Sequence, residues 1–329
     1  MNIGTVLCTV EYEGENWERL ERAMGPGKII HVSQNDRDAV SSALQEADVA
    51  ILQGDAPAWL VSEGKNLKWI HCNHAGLNNS CTPLIFERGI ILTGSSGRSG
   101  PVLAEHTFFL ALSLIYDSRA LEANQKAHKW ANLYDSRRGL FGKTMGIIGL
   151  GYTGKEIAAR AKAFGMRVLA YDREFFGEPE NVDAIWSSKN NESVDELLRQ
   201  SDIVALSVRL SDETYHMIDE RAFSIMKDSA LLINMARGSV VDEEALVRAL
   251  ESGSIAGAAS DVFEVEPLPK ESPLWDFPNF VITAHNTPEM PDMPGNCIKI
   301  IGENFNRYRN GQPMLNQAFP EDVYTKRKG

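Results

Sequence analysis

The 329 residues contain only four cysteines, Cys8, Cys72, Cys81 and Cys297, widely scattered and without a C-x-x-C pair. That spacing excludes a zinc knuckle and a disulfide framework, and it fits a reducing compartment. Positive charge is also in short supply: 33 Lys and Arg stand against 45 Asp and Glu, a formal net charge of −12. Such a chain has no overall field with which to gather a nucleic-acid backbone or an acidic lipid surface. Long apolar runs are lacking too. The longest, Phe108 to Tyr116, falls well short of the roughly 20 residues of a membrane span. The opening MNIGTVLCTVEYEGE has neither the basic stretch nor the small-residue cleavage site of a secretory leader. The expectation is a soluble cytoplasmic protein without nucleic-acid or membrane partners. No internal repeat is present.

What is there is ordinary for a globular chain, with 43% apolar residues, 24% charged residues and 26 glycines. The length suggests two domains. β-branched runs at Ile3 to Val10, Lys28 to Val32, Val49 to Gln53, Trp69 to Asn73 and Ile90 to Thr93 alternate with helical segments such as Asp36 to Glu46. This alternation predicts a parallel sheet covered by helices. Pro101 to Tyr116 reads as one long helix connecting the domains, with proline in its first turn. Six further strands are predicted at Thr144 to Gly149, Arg167 to Tyr171, Ile203 to Val208, Ala230 to Asn234, Ile255 to Ser260 and Phe280 to Thr283. With helices at Lys155 to Phe164, Val194 to Gln200 and Asp242 to Glu251 between them, they suit a second, doubly wound sheet. A last helix, Cys297 to Arg309, has no further sheet after it and is expected to pack back onto the first domain.

Gly149-Leu150-Gly151-Tyr152-Thr153-Gly154 follows the apolar strand MGIIG and opens a helix. In that context the glycines allow a tight turn, close approach of a pyrophosphate to the backbone, and close helix-to-strand packing. Asp172 ends the next strand, 18 positions past Gly154, where an acid can bind both hydroxyls of an adenosine ribose. Because an acid there repels a 2′-phosphate, NAD is expected rather than NADP, although the adjacent Arg173 could soften the choice. S-adenosylmethionine enzymes use a similar loop, so later residues must decide.

Three segments follow later strands: Asn234-Met235-Ala236-Arg237-Gly238, Asp261-Val262-Phe263-Glu264-Val265-Glu266-Pro267 and Thr283-Ala284-His285. A cation, a carboxylate and an imidazole at the carboxyl ends of one sheet make a coherent set. Arginine offers a planar fork to a substrate carboxylate or carbonyl, and a carboxylate beside an imidazole favours the protonated ring. Singly, each residue could equally be a surface ion-pair partner, a solvated acid or a satisfied buried histidine.

Three blocks in order, LFGKTMGIIGLGYTGKEIA, INMARGSVVDEEALVRAL and DVFEVEPLPKESPLWDFPNFVITAH, make the chain similar to the D-isomer-specific 2-hydroxyacid dehydrogenases over nearly its whole length. The resemblance implies an α/β fold of two doubly wound parallel-sheet domains. In it a Rossmann NAD-binding domain, residues 100–286, is inserted into a flavodoxin-like substrate domain, residues 1–99 and 287–329. It implies reversible hydride transfer between NAD(H) and a small 2-keto or 2-hydroxy acid, with no metal. Arg237 would bind the substrate carboxylate and polarise the keto oxygen. His285 would be the general acid, and Glu266 would orient it, with Glu264 as the candidate most easily confused with Glu266. Gly149, Gly151, Tyr152, Thr153, Gly154, Asp172, Arg173, Ala236 and Asp261 would contact the cofactor, Asp261 at the nicotinamide carboxamide. A homodimer is implied, with Pro101 to Tyr116 and the following segment as its packing arm.

In the first domain, His71 to Asn78 resembles the family's substrate-carboxylate loop, so Asn73, His74, Ala75 and Gly76 are candidates there. Asn73 and His74 contact a polar substituent or serve as turn residues. Arg98 is a weaker candidate for an anionic group. The chain departs from the family pattern at Ser207-Val208-Arg209-Leu210, where His-x-Pro-Leu is common. It departs again at Asn286-Thr287-Pro288-Glu289-Met290-Pro291, which replaces a cluster of small residues and brings Met290 or Met293 toward the pocket. Two alternatives share the triad: a phosphite-oxidising relative, and an NAD-dependent corepressor that binds peptides. Formate dehydrogenases carry glutamine where Glu266 stands.

Overall fold

Short aliphatic runs, each followed by a turn and a helix, produce parallel strands throughout. The computed structural model describes residues 3–131, 139–175, 177–287 and 289–326. The chain divides into two units, Met1–Ser99 with Glu289–Gly329, and Gly100–Pro288.

The first unit begins β1 (Thr5–Cys8), α1 (Gly14–Met24), β2 (Lys28–His31), α2 (Arg37–Leu44), β3 (Val49–Leu52) and α3 (Ala58–Glu63). It continues β4 (Trp69–Cys72), α4 (Pro83–Glu87) and β5 (Ile91–Gly94). The strands lie in the order β2-β1-β3-β4-β5, every pair parallel, which is the flavodoxin-like arrangement. Strands β1, β3 and β4 are buried along their whole length, as helices on both faces require. Alternate residues feed two cores. Leu7, Ala50, Leu52 and Ile70 enter one, while Val6, Val49, Ile51 and Trp69 enter the other.

The second unit opens with α5 (Gly100–Ile115) and α6 (Ser118–Lys126). Next come β6 (Thr144–Ile148), α7 (Tyr152–Ala163), β7 (Arg167–Asp172), β8 (Ala184–Ser187), α8 (Asp195–Gln200) and β9 (Ile203–Leu206). It closes with α9 (Glu220–Ile225), β10 (Leu231–Asn234), α10 (Glu243–Ser252), β11 (Gly257–Ser260) and β12 (Phe280–Ile282). The sheet order is β12-β11-β10-β9-β6-β7-β8, the Rossmann arrangement with a strand added at one edge. It has seven strands where the sequence predicted six. The missed one, β8, is an edge strand with three of its four residues only half buried, so its apolar signal is short. The long helix α5 belongs to this unit's core: Ala104, Phe108, Leu110 and Ala111 pack with Met145, Ile147, Ile233 and Ala259.

The chain then returns to the first unit through α11 (Met293–Arg309). Its Ile298, Ile301, Phe305 and Tyr308 join Val6, Val49 and Trp69 in one core, with the Trp69 indole 4.8 Å from the Phe305 ring. The helix starts at Met293 rather than Cys297 because the Asp292 carboxylate accepts the Gly295 N–H at 3.1 Å and Pro294 occupies the first turn, where it displaces no helical hydrogen bond. Among the described residues, no helix is long and apolar enough to cross a membrane.

Candidate active site

In the second unit the strand order reverses between β6 and β9, and at such a point the carboxyl ends of the strands open a crevice. Gly149 leaves β6 with φ +96°, and a Cβ on it would lie 2.8 Å from the Ser207 carbonyl and the Val208 nitrogen. Only glycine fits. The Ser207 hydroxyl, at the position where histidine is common, donates to the Gly149 carbonyl at 2.6 Å and pins the loop. A Cβ on Gly154 would strike the same carbonyl at 2.1 Å, whereas Gly151 has nothing within 4 Å of the place its Cβ would take. Helix α7 starts here at Tyr152, three residues earlier than the predicted Lys155, without a side-chain cap. Its first-turn N–H groups, at Tyr152, Thr153 and Gly154, therefore suit an anion. Asp172, at the end of β7, accepts the Leu150 N–H at 2.5 Å and the Arg173 N–H at 2.7 Å, which sets its carboxylate beside the loop. The Arg173 guanidinium lies 3.5 Å from Glu213, so its charge is shared with an acid. A closely approached glycine turn beside a carboxylate fits the pyrophosphate and ribose of a dinucleotide.

Across β10, β11 and β12, residues Asn234, Ser260 and Ile282 stand in register. Just beyond that row come Arg237, Glu266 and His285. The Asn234 side chain ties the first turn, accepting the Ala236 N–H at 3.0 Å and donating to the Arg237 carbonyl at 3.1 Å. The Arg237 guanidinium donates to the Ala236 carbonyl at 2.6 Å. A Cβ on Gly238 would fall 1.8 Å from the Phe263 carbonyl carbon, so this glycine lets the arginine turn lie against the backbone that leads to Glu266. Glu266 Oε1 accepts the Phe263 N–H at 2.9 Å, and Oε2 meets His285 Nδ1 at 2.8 Å. The imidazole is about half exposed. With Nδ1 occupied by the carboxylate, Nε2 is the nitrogen available to a substrate.

The rival carboxylate, Glu264, lies 3.0 Å from His216 Nε2 and accepts the Glu243 N–H at 3.2 Å. Asp242, nearby, caps α10 through Ala245 N. His216, Asp242 and Glu264 come close enough to suggest a cation site, but these bonds account for each of them structurally. Asp261 is buried and acts as a hub: Oδ1 accepts the Thr283 hydroxyl at 2.6 Å and the Asn286 N–H at 2.9 Å, and its carbonyl accepts the His285 N–H at 2.8 Å. His285 itself has φ +50°, a backbone conformation uncommon outside glycine and one that surrounding bonds must hold.

A sequence model of the D-isomer specific 2-hydroxyacid dehydrogenase NAD binding domain matches residues 108–287. The chain is 34% identical to a glyoxylate reductase of Korarchaeum cryptofilum, over 97% of this chain and 93% of that protein. The chain belongs to the D-isomer specific 2-hydroxyacid dehydrogenases. A hydroxypyruvate reductase of Thermotoga maritima is also 34% identical, over 76% of this chain and 81% of the relative. Among solved structures, a D-isomer specific 2-hydroxyacid dehydrogenase from Xanthobacter autotrophicus Py2, in complex with NADPH and MES, superposes with a TM-score of 0.79. It is 27% identical, covering 97% of this chain and 99% of that one. The second unit of this family member thus carries the family's NAD-binding domain.

In the first unit, the loop after β4 differs from a simple polar surface. Asn73 is buried, and its amide donates to the Tyr12 hydroxyl at 3.0 Å, so its side chain braces the fold and does not face outward. The carbonyls of Asn73, His74 and Ala75 are all engaged, by the Arg98 guanidinium at 2.8 Å, the Ser95 N–H at 2.9 Å and the Ser96 hydroxyl at 3.1 Å. Arg98 is therefore a brace for this loop. The His74 ring stands 3.5 Å from Asp55. Met293 receives the Ser99 hydroxyl at its sulfur, 3.7 Å away. Pro288 lies outside the described residues. Sequence reasoning missed His106, which bonds to Thr283 and Thr287. The available signal was a histidine inside the apolar helix AEHTFFLAL, since a polar side chain buried there needs partners.

Proposed function

We propose that this protein reduces a small 2-keto acid to its D-2-hydroxy acid and catalyses the reverse oxidation. The observation that carries this reading is the 2.8 Å contact between His285 Nδ1 and Glu266, in register with the arginine turn of the neighbouring strand. Bound NADH supplies the hydride that adds to C2 of the keto acid. Gly149, Gly151, Tyr152, Thr153 and Gly154 would hold the pyrophosphate, Asp172 the adenosine ribose, and Ala236 and Asp261 the nicotinamide side. Asp172 favours NADH over NADPH, because a 2′-phosphate beside a carboxylate pays a repulsion; Arg173, already facing Glu213, offsets little of it. Arg237 binds the carboxylate and draws electron density onto the keto oxygen. His285 gives its Nε2 proton to that oxygen as the C–H bond forms, and Glu266 stabilises the ring while it is charged.

The first unit is the substrate domain in this reading. The braced carbonyls of residues 73–75 leave the peptide N–H groups of the loop, around Ala75 and Gly76, as carboxylate donors. The two-carbon and three-carbon keto acids glyoxylate and hydroxypyruvate are the first substrates to try. NADH oxidation is to be followed against these with pyruvate, phenylpyruvate, 2-ketoisocaproate and oxaloacetate. Turnover that falls about 10²- to 10⁴-fold in His285→Ala is expected, in line with loss of a general acid; tight NADH binding without turnover on any acid would overturn the reading. We further propose a homodimer through α5, α6 and the turn between them, which expose Phe109, Leu121 and Tyr116 by 56%, 46% and 51%. Apolar side chains so grouped favour burial against a second copy. Part of the expected arm, residues 132–138, lies outside the described residues. Sedimentation showing only monomer at micromolar concentration would refute the dimer.

A further inference from the structure

His106 lies in α5 about 180 positions before the histidine that the proposed reaction uses, yet both ends of its buried ring reach the segment around His285. Its Nε2 is 3.1 Å from the Thr283 hydroxyl and its Nδ1 is 3.1 Å from the Thr287 hydroxyl. Those threonines stand two residues before and two residues after His285. The proton inventory fixes the direction of the first bond. Thr283 has one hydroxyl proton, and at 2.6 Å it goes to Asp261 Oδ1, so His106 Nε2 carries a hydrogen and donates to Thr283. A neutral ring then accepts at Nδ1, and the Thr287 hydroxyl, 3.1 Å from that nitrogen and 3.4 Å from Asp261 Oδ2, directs its one proton to the nearer acceptor.

The inner side of the segment is held by Asp261, whose carbonyl takes the His285 N–H at 2.8 Å and whose carboxylate takes the Asn286 N–H at 2.9 Å. Asp261 also reaches both threonine hydroxyls, Thr283 at 2.6 Å and Thr287 at 3.4 Å, and His106 holds the same two hydroxyls from α5 at 3.1 Å each. Between the two clamps His285 adopts φ +50°, a conformation that relaxes when its supports are removed. We propose that His106 is a positioning residue: by gripping Thr283 and Thr287 it keeps the His285 imidazole against Glu266 and aimed at the substrate. The inference rests on His285 acting as the acid, and it adds a residue that never touches substrate.

The experiment compares wild type, His106→Ala, His106→Gln and Thr287→Val by steady-state kinetics and by proton NMR of the histidine rings without substrate. The His285 Nδ1 proton, bonded to Glu266, gives a downfield signal identified by its absence in His285→Gln. In His106→Ala, kcat is expected to fall about 10- to 100-fold, the cost of an ångström-scale misplacement. The KM for NADH should stay within about threefold, since the phosphate loop is untouched, and the downfield signal should broaden away. His106→Gln, whose amide can still donate to Thr283, should recover part of both. If His106→Ala keeps the signal and kcat and merely melts earlier, the residue is structural and the proposal fails. Should that variant not fold, Thr287→Val decides: it leaves the ring in place, and an unchanged signal and kcat there overturn the proposal equally. If wild type reduces no keto acid, the proposed reaction is wrong, and the NMR comparison still tests whether His106 sets the His285–Glu266 contact.

Discussion

At the residue scale the two acidic side chains of one short loop do different work. Glu266 points its carboxylate at His285, whereas Glu264 is turned to His216 and the backbone of Glu243. Replacing Glu266 by Gln is expected to lower kcat by about 10- to 100-fold, because the ring loses the charge that steadies its protonated form. Glu264→Gln should leave kcat within about threefold and lower stability by about 1 kcal/mol, the worth of an ordinary buried hydrogen bond. Paired kinetics and urea melts of the two variants check this; equal kinetic losses would reassign the partner of His285. The sign with pH also follows. In the proposed reaction reduction consumes a proton, so its rate is expected to fall as pH rises, and oxidation, which releases one, is expected to gain. The pairing of Glu266 with His285 was legible in the sequence because a carboxylate and an imidazole follow neighbouring strands in short blocks. The supports were not. His106 and Thr283 are 177 positions apart, and no local pattern ties a histidine in a core helix to a hydroxyl at the end of a strand. The brace on Asn73 was hidden for the same reason, since Tyr12 lies 61 positions away and a polar loop residue looks the same in sequence whether it faces substrate or the fold.

Between elements, close approach of backbones is what brings the site's loops together. Gly238 follows Arg237 in the turn after β10, and a methyl group there would meet the Phe263 carbonyl carbon at 1.8 Å and the Glu264 nitrogen at 2.3 Å. Those are main-chain atoms, which cannot swing aside. Gly238→Ala is therefore expected to cost about 1–3 kcal/mol of stability, as overpacking does. It should also lower kcat/KM more than it lowers NADH affinity, because the turn carrying Arg237 is pushed from the segment carrying Glu266 while the phosphate loop stays as it was. Titration of NADH fluorescence beside steady-state kinetics separates the two; an equal loss in both would place the damage elsewhere. Ten of the eleven predicted strand segments needed only local periodicity, since both sheets are buried and their strands read as apolar runs. The eleventh, Phe280 to Thr283, survived as the three residues of β12, short because it closes one edge. The opposite edge shows why β8 escaped: Ala184–Ser187 pairs with only one neighbour, so neither face had to be fully apolar. Helix starts failed at Asp292, whose carboxylate caps α11 ahead of Pro294, and at the Gly151 turn, where α7 begins without a side-chain cap.

Over the whole molecule, the division into two units with separate cores was foreseeable from length and from two successive series of strands, but the burial of individual titratable groups was not. His71 stood both in the predicted strand Trp69 to Asn73 and at the head of a polar loop motif; it is the third residue of β4, fully buried, with Nδ1 2.9 Å from the Thr93 hydroxyl and Nε2 3.0 Å from the Ser95 hydroxyl. Burial pushes its pKa down to about 3, with a smaller contribution from His74. In the unfolded chain the same ring titrates near 6.5. Between those values the unfolded chain binds a proton that the folded chain refuses, so the stability contributed by neutral His71 is present above about pH 6.5 and is lost as pH falls toward 3. The slope in that window reaches at most about 1.4 kcal/mol per pH unit. Asp202 loses its contribution in a lower range. Burial works to raise its pKa, but Lys227 and the Thr144 N–H hold it below the usual carboxylate value, so its stabilisation is lost only as pH falls through that depressed value. Melts at pH 7 and pH 5 therefore isolate the histidine. Wild type should lose more between them than His71→Gln, whose amide can still bond to Thr93 or Ser95 but does not titrate. The first unit should show the difference, because its sheet carries the buried ring; equal losses in the two proteins would mean that some other group opposes acid, and that the buried ring accommodates its proton.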